Sequence, residues 1–252
     1  MSHHDDANNR KSIDLKNLNK EKSVRLPGAI KFIGEIILDA VIIVALVLFI
    51  RTYLIAPFQV HGTSMCNTLN YRNNICHNGY GEYLIITKLG YIVGSPQRGD
   101  IVVFRPPGTE QFNRIEALFR TLLHIDGQDY FIKRIIGLPG ETVELKNGYV
   151  YVNGKRLSES YLSKTNEGHT YPLVPGKTTF KVPEGSYLVL GDNRQVSTDS
   201  RSCFRSSSIG GCRTEADSFI TPSSMEGKAW LILFPLDTMG TIKNPEYHLQ
   251  TT

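Results

Sequence analysis

A serine and a lysine in this chain have the residue types and surroundings of a nucleophile and its base. Ser64 lies in segment 57–65, PFQVHGTSM, and Lys133 lies in segment 129–137, DYFIKRIIG. A serine hydroxyl is a weak nucleophile that needs a base to remove its proton. Lysine can act as that base only when neutral, so its pKa of ~10.4 must fall by several units, which burial among apolar side chains achieves. The apolar run around Lys133 meets this requirement, so the pair predicts nucleophilic catalysis.

Other residues offer weaker candidates for the same chemistry. Histidine is the usual base for a serine, but of the seven histidines only His61 is close to Ser64 in the sequence. A lone histidine in such a position is more often structural. The chain contains no Gly-x-Ser-x-Gly motif, which argues against an α/β-hydrolase. Taken separately, Ser64 and Lys133 are weak signals too, because most lysines in β domains face solvent.

The element that precedes Ser64 is an apolar segment from Ile30 to Ile50. A membrane-spanning helix needs ~20 apolar residues, and this segment reaches that length only if Glu35 and Asp39 are included. A buried core helix is the alternative. The basic N-terminal stretch favours a span with its N-terminus in the cytoplasm. We therefore predict a flexible cytoplasmic tail at 1–29, an uncleaved transmembrane anchor helix at 30–54 and an extracytoplasmic catalytic β domain at 55–252.

The remainder of the chain has the pattern of short β-strands. Apolar runs bounded by Gly or Pro occur at 83–87, 100–105, 186–191 and 228–234, and two Asn-Gly pairs flank an alternating strand at 146–155. Asn-Gly between alternating residues is a strong hairpin signal. One stretch, 110–123, has apolar residues at helical spacing and predicts an amphipathic or packed helix. The fold class predicted is mainly β with an N-terminal transmembrane helix.

The composition narrows the possible partners. The 252 residues carry a net charge of only +4, and Lys and Arg are scattered without a basic, aromatic-rich stripe, so we expect no nucleic-acid partner. No Cys-x-x-Cys or spaced histidine pair predicts a metal site, and no cofactor is expected. Cys203 and Cys212 could close a small disulfide loop in an oxidising compartment. For Cys66 and Cys76 free thiols are an equal alternative.

The order of motifs resembles that of the bacterial type I signal peptidases, membrane-bound Ser/Lys proteases that remove secretory signal peptides. Five segments carry the resemblance: PFQV running into GTSMCNTL at 57–69, RGDIVVF at 98–104, YFIKRIIGLPGE at 130–141, VNGK at 152–155, and GDNR through STDSR at 191–201. They occur in the order of the family and span nearly all of the chain beyond the apolar segment. Each segment is moderately specific, whereas the ordered set is highly specific.

The resemblance implies a role for each matching residue. Ser64 corresponds to the acylating nucleophile, Lys133 to the general base, and Ser197 to a serine that orients the lysine amine. Supporting roles fall on Gly191, which lets the backbone approach the lysine closely, and on the structural ion pair Asp199–Arg201. The residues expected to contact substrate are those lining shallow pockets for small side chains, together with the glycine beside the oxyanion: Phe58, Val60, Leu69, Ile132 and Gly62.

Three departures from the family pattern concern the site and its surroundings. Gly62 stands where many members have a serine whose hydroxyl completes the oxyanion hole, although some members also have glycine. The loss of one such donor costs ~10²–10³ in rate when nothing replaces it. Asn67 replaces a common proline, so the turn after Ser64 is less restricted in advance. Insertions near 107–128 and 203–224 have no role that the sequence explains.

These observations predict a membrane-anchored endopeptidase that cuts exported preproteins after a small-x-small site, on the outer face of the cell membrane. Its expected partners are preproteins and membrane lipid. The chief enzymatic alternative is a self-cleaving Ser/Lys domain like those of SOS-response repressors, but those proteins are soluble and carry a DNA-binding module, whereas this sequence has an apolar anchor and no helix-turn-helix pattern. The ER-type signal peptidases also resemble this chain, but they use histidine where Lys133 stands. The alternative from another class is a membrane-anchored β-domain that binds a partner through a degenerate Ser/Lys site.

Overall fold

A computed structural model describes residues 28–73, 75–109, 130–205, 212–247 and 249–250 of the chain. The chain divides into two compact units, residues 1–47 and 48–252, which are described separately. The helix predicted at 110–123 lies outside the described residues, as do most of the insertion at 107–128 and part of that at 203–224.

The described part of the first unit is an apolar helix. Helix α1 (Gly28–Phe49) is followed by one π-helical turn (Ile50–Leu54) that already belongs to the second unit. Residues Ile30–Leu54 have a mean hydropathy of 2.8 in their most apolar window, none of which is buried. By length and composition this is the single described helix able to cross a membrane. In a buried core helix, by contrast, most of such a window would be buried.

The second unit is built mainly from antiparallel strands, which confirms the predicted mainly-β fold. The larger sheet has the order β1-β4-β12-β5-β6-β11, with β13 paired to β12. Its strands are β1 (Ile55–His61), β4 (Tyr80–Thr87), β5 (Ile101–Phe104), β6 (Phe131–Gly137), β11 (Leu188–Leu190), β12 (Met225–Phe234) and β13 (Gly240–Thr241).

The described residues of this unit also form two smaller sheets. One has the order β10-β7-β8-β9-β14, and the other is the hairpin β2-β3. Their strands are β2 (Tyr71–Arg72), β3 (Ile75–Cys76), β7 (Thr142–Lys146), β8 (Tyr149–Val152), β9 (Lys155–Leu157), β10 (Thr179–Lys181) and β14 (Leu249–Gln250); a short helix α2 (Leu89–Val93) follows β4.

The two predicted Asn-Gly turns are present between β7, β8 and β9. Asn147 and Gly148 have φ of 54° and 80°, and Asn153 and Gly154 have φ of 49° and 78°. Two successive positive φ values are the requirement of a type I′ hairpin turn, and asparagine followed by glycine tolerates them best. The hairpin prediction is therefore confirmed.

The described residues form three apolar core clusters. One cluster lies between the larger sheet and the sheet β10-β7-β8-β9-β14 and includes Ile136, Phe180 and Leu188. Another packs Phe104, Ile135 and Phe204 on the larger sheet. The third cluster contains residues from β1, β4, β5 and β6 together with Met65 and Leu69, both of which follow Ser64 in the chain. The turn that carries Ser64 is therefore anchored in the core on its C-terminal side.

Candidate active site

Ser64 and Lys133 come from opposite sides of the larger sheet. Ser64 lies in the turn after β1, an edge strand, whereas Lys133 lies on β6, next to the opposite edge strand β11. Despite this separation, the Lys133 Nζ donates a hydrogen bond to the Ser64 Oγ at 2.7 Å. The sheet is therefore curled enough to bring its two sides together at this point.

Lys133 is buried in a setting that lowers its pKa. Its side chain is 4% exposed, and its Nζ also donates to the Ile132 carbonyl at 2.9 Å and lies 5.2 Å from the centre of the Phe131 ring. Desolvation lowers the Lys133 pKa from 10.5 to about 8, against the opposing effect of the negative charges of Asp199 and Asp192. With this pKa, about a tenth of the Lys133 amine is neutral at pH 7, far more than for an ordinary lysine.

Ser197 and Gly191 lie against the same site. The Ser197 hydroxyl is buried, and among the described residues it has no hydrogen-bond partner. A Cβ atom placed on Gly191 would lie 2.1 Å from the Ser197 Oγ and 2.5 Å from the Ser64 carbonyl oxygen. Gly191 is thus in close contact with Ser64 and Ser197, while the Lys133 amine makes its described hydrogen bonds to Ser64 and Ile132. The orienting role of Ser197 stays a prediction.

Asp199 and Arg201 form a buried, two-point ion pair behind this contact. The Arg201 Nε and Nη2 donate to the two Asp199 carboxylate oxygens, each at 2.9 Å. The Asp199 Oδ2 also accepts from the Gly191 N–H at 3.1 Å. Although burial alone would raise the Asp199 pKa, the charge and hydrogen bonds of Arg201 hold it below its ordinary value. The carboxylate thereby remains charged and fixes the backbone at Gly191.

The sequence interpretation missed four residues that hold the Ser64 turn. Asn193 N–H donates to the Ser64 carbonyl at 3.0 Å, and the Asn193 Nδ2 donates to the Thr63 carbonyl at 3.1 Å. The Thr68 hydroxyl donates to Asp192 at 2.5 Å, and Asp192 accepts two hydrogen bonds from Arg134 at 2.6 and 2.9 Å. The only signal for these four residues was their position inside the GTSMCNTL, FIKRIIG and GDNR segments.

Asn67 accounts for one departure from the family pattern. Its φ is 68°, a left-handed conformation that asparagine tolerates. A proline has φ near −65° and is incompatible with this turn. The backbone conformation that follows the nucleophile candidate is therefore one that asparagine adopts and proline does not.

The residues predicted to form substrate pockets gather in one apolar cluster. Val60, Leu69 and Ile132 are buried members of this cluster, and Phe58 packs against it while keeping part of its surface exposed. The Phe58 and Tyr130 rings meet edge to face, with centroids 6.4 Å apart. Little surface of the three buried residues is available, so any pocket here is shallow. Their contact with substrate stays a prediction.

Both pairs of cysteines are bridged. The disulfide Cys66–Cys76 ties the Ser64 turn to β3, and Cys203–Cys212 closes the loop after Arg201. The open question for Cys66 and Cys76 is thus answered in favour of a bridge. Within the described ranges, no group of His, Cys, Asp and Glu has the arrangement of a metal site.

Most of this chain matches the sequence pattern of one family of known proteins. The family of signal peptidases, peptidase S26, matches residues 33–234. The chain belongs to this family. It is therefore a serine endopeptidase that removes signal peptides from exported preproteins, and its apolar N-terminal helix is that of a membrane-anchored protein.

Individual relatives of this signal peptidase come from several bacteria. Signal peptidase I of Bacillus licheniformis is 41% identical over 167 residues, covering 64% of this chain and 74% of that protein. Signal peptidase I P of Bacillus subtilis subsp. natto is 31% identical over 229 residues, covering 90% and 100%. The crystal structure of a signal peptidase I from Enterococcus faecalis V583 has 35% identity, covers 53% of this chain and 96% of that one, and superposes with a TM-score of 0.34.

In this signal peptidase, Gly62 contributes backbone groups only. Its φ is 81°, and a Cβ atom added there would meet nothing within 4 Å. The Gly62 N–H is already used, because it donates to the Gly79 carbonyl at 2.9 Å. The Ser64 N–H, in contrast, donates to no described residue, which leaves it available for an oxyanion.

Proposed function

We propose that this signal peptidase works through Ser64 as nucleophile and Lys133 as general base. The observation that carries the proposal is the 2.7 Å hydrogen bond between the Ser64 hydroxyl and a buried lysine whose pKa is lowered to about 8. Nucleophile and base within hydrogen-bond reach, with the base partly neutral, are the requirements of serine activation.

The reaction follows from these two groups. Neutral Lys133 takes the Ser64 proton while the Ser64 Oγ attacks the carbonyl carbon of the scissile peptide, and the Ser64 N–H stabilises the oxyanion. Lys133 then gives the proton to the leaving amine as the C–N bond breaks, which leaves an acyl-enzyme. A water molecule loses its proton to Lys133, attacks the ester and releases the carboxylate, and Ser64 recovers its proton.

The shallow apolar surface supports a preference for small side chains. Val60, Leu69 and Ile132 are buried members of one apolar cluster, and the partly exposed Phe58 packs against it, so these residues offer little accessible surface to a large side chain of the substrate. Strand β1 pairs only with β4 among the described strands. Its other edge offers backbone groups to an extended peptide, as in β-strand addition.

We also propose the topology of the chain: a cytoplasmic tail at 1–29, one span at 30–54 and the catalytic domain, 55–252, on the outer face, in contact with membrane lipid. The basic N-terminal stretch favours the cytoplasmic side. The two disulfides of the second unit favour an oxidising compartment for the catalytic domain.

Cleavage of matched preproteins tests the proposed specificity. The full-length protein in detergent is expected to cut a preprotein with Ala-x-Ala before the junction, and sequencing of the product should place the cut after the second alanine. Replacing that alanine with leucine should lower the cleavage rate by ~10²-fold or more, because the pocket cannot expand. Equal cleavage of both preproteins would contradict the shallow-pocket assignment.

The pH dependence tests the base. Below about pH 8, kcat/KM is expected to rise roughly tenfold per pH unit, and above the Lys133 pKa it should level off, because only the neutral amine accepts a proton. The measurement is the initial cleavage rate from pH 6 to 10 at constant ionic strength. A profile that is flat across this range would contradict a lysine base.

A further inference from the structure

Asn70 and Glu82 form a buried reciprocal pair beside the Ser64 turn. The Asn70 N–H donates to the Glu82 Oε2 at 2.6 Å, and the Glu82 N–H donates to the Asn70 Oδ1 at 3.1 Å. The two residues are 1% and 2% exposed. Because each holds the other through backbone and side-chain groups, the Asn70 amide has one defined orientation.

The remaining polar group of the Asn70 side chain points to Gly62. Its Nδ2 donates to the Gly62 carbonyl at 2.8 Å, and the Gly62 N–H donates to the Gly79 carbonyl at 2.9 Å. Both backbone groups of Gly62 are thus held. Since the peptide group is planar, fixing the Gly62 carbonyl also fixes the N–H of Thr63, the residue before Ser64.

Gly62 depends on such hydrogen bonds more than another residue would. It has φ of 81° and no side chain to pack, and open space surrounds the position of a Cβ atom. Glycine loses more conformational freedom on ordering than any other residue. Without the Asn70 hydrogen bond, the Gly62–Thr63 peptide would therefore lose the described hydrogen bond at its carbonyl, two residues before Ser64.

We infer that Asn70 is a positioning residue for the reaction, which sets the Gly62–Thr63 peptide and thereby the geometry of the Ser64 nucleophile and its N–H. Glu82 holds the Asn70 side chain, and Gly81 makes room for it: a Cβ atom on Gly81 would lie 1.4 Å from the Asn70 Oδ1. The inference rests on the proposed role of Ser64. It adds a restraint on the chain segment that precedes Ser64.

Asn70→Asp is the first test. This change keeps an oxygen facing the Glu82 N–H but replaces the donor to Gly62 with a carboxylate oxygen. We expect kcat to fall ~10–100-fold with KM within about twofold, because misplacing a reacting group weakens the transition state more than substrate binding. Asn73→Asp is the matched control, because Asn73 also has a positive φ, 50°, but is exposed and makes no described side-chain hydrogen bond. The Asn73→Asp variant should cleave at the wild-type rate.

A peptide aldehyde distinguishes positioning from general destabilisation. An aldehyde with a small-x-small sequence adds the Ser64 hydroxyl to its carbonyl and mimics the tetrahedral intermediate. For Asn70→Asp its inhibition constant should rise by the same factor by which kcat falls, whereas binding of the cleaved signal peptide should stay unchanged. Equal weakening of aldehyde and product, or no change in either, would overturn the inference.

A double-mutant cycle with Gly81 supplies a second variant in case Asn70→Asp folds poorly. Gly81 has no left-handed φ, and the three atoms nearest to an added Cβ all belong to the Asn70 side chain, so Gly81→Ala should displace that side chain and lower kcat ~10-fold or more. In an Asn70→Gly background the same change should cost nothing further, because the clashing side chain is gone. Additive losses in the cycle would contradict the role of Asn70.

The control Ser64→Ala distinguishes a wrong nucleophile from a wrong role for Asn70. If Ser64→Ala keeps full activity, the proposed nucleophile is wrong and the inference falls with it. If Ser64→Ala is inactive while Asn70→Asp and Gly81→Ala cleave at the wild-type rate, the nucleophile stands and Asn70 has no positioning role.

Discussion

Replacing Lys133 with methionine is expected to lower kcat/KM for preprotein cleavage by at least ~10³-fold and, at the same time, to stabilise the folded protein. The loss follows because Ser64 then has no base within hydrogen-bond reach among the described residues. Methionine has a similar length and an apolar end, so it fills the buried site without a charge.

The gain in stability follows from the lowered pKa of Lys133. The folded pKa is about 8 and the ordinary value is 10.5, so below pH 8 the fold holds a buried ammonium that the unfolded chain keeps in water. Between pH 8 and 10.5 the unfolded state binds more protons, so stability rises with pH, and above 10.5 the penalty is gone. At pH 7 the variant should therefore unfold with a free energy larger by the order of 1–3 kcal/mol.

Denaturant unfolding in detergent at pH 7, beside the cleavage assay, measures both effects. Lys181→Met is the matched control, because Lys181 is exposed on β10; it should keep wild-type activity and change stability by less than about 0.5 kcal/mol. Cleavage by Lys133→Met at a rate near wild type would rule out the proposed base. A marked loss of stability in that variant would instead show that the lysine is not held in an unfavourable setting.

Gly191→Ala is expected to lower kcat/KM by ~10²-fold or more. The added Cβ atom would lie 2.5 Å from both the Ser197 Cβ and the Ser64 carbonyl oxygen, so backbone must move and not just a rotatable hydroxyl. The Ser64 carbonyl is itself bound by Asn193, and the Gly191 N–H is bound by Asp199. A shift of either backbone group therefore disturbs the hydrogen bonds that hold the Ser64 turn. Overpacking of this kind also costs about 1–3 kcal/mol of stability.

Gly240→Ala is the matched control for the added methyl group. Gly240 has nothing within 4 Å of a Cβ position and no left-handed φ, so alanine there should leave cleavage unchanged. The measurement is kcat/KM for a preprotein together with the thermal unfolding midpoint. If Gly191→Ala cleaves as fast as Gly240→Ala, the close contact between Gly191 and the Ser64 turn has no functional role.

Much of the fold was accessible from local sequence patterns. Short apolar runs predicted β4, β5, β11 and β12 of the larger sheet, and the two Asn-Gly pairs predicted the hairpins β7-β8 and β8-β9, because their signals lie within a few residues of the chain. The apolar segment predicted the N-terminal helix for the same reason. The predicted helix at 110–123 lies outside the described residues and stays a prediction.

The restraints on the Ser64 turn were not accessible in this way. Asn193 is 130 positions from Thr63, whose carbonyl it binds, and nothing in either local pattern indicates that contact. Asn70 is closer to Gly62, yet its hydrogen bond depends on a left-handed φ of 57° and on the space left by Gly81. The Cys66–Cys76 bridge likewise depends on how β2 and β3 fold back, which spacing alone left open.

The candidate catalytic residues, the strand-forming segments and the apolar helix could be predicted from the sequence, because their signals are local. The tertiary structure alone brings Ser64 and Lys133 together, since Ser64 follows the edge strand β1 whereas Lys133 lies on β6, near the opposite side of the sheet. It also decided the Lys133 pKa, which depends on burial by surrounding strands and on the charges of Asp199 and Asp192. Desolvation and charge proximity are properties of packing, and no single segment of the chain contains them.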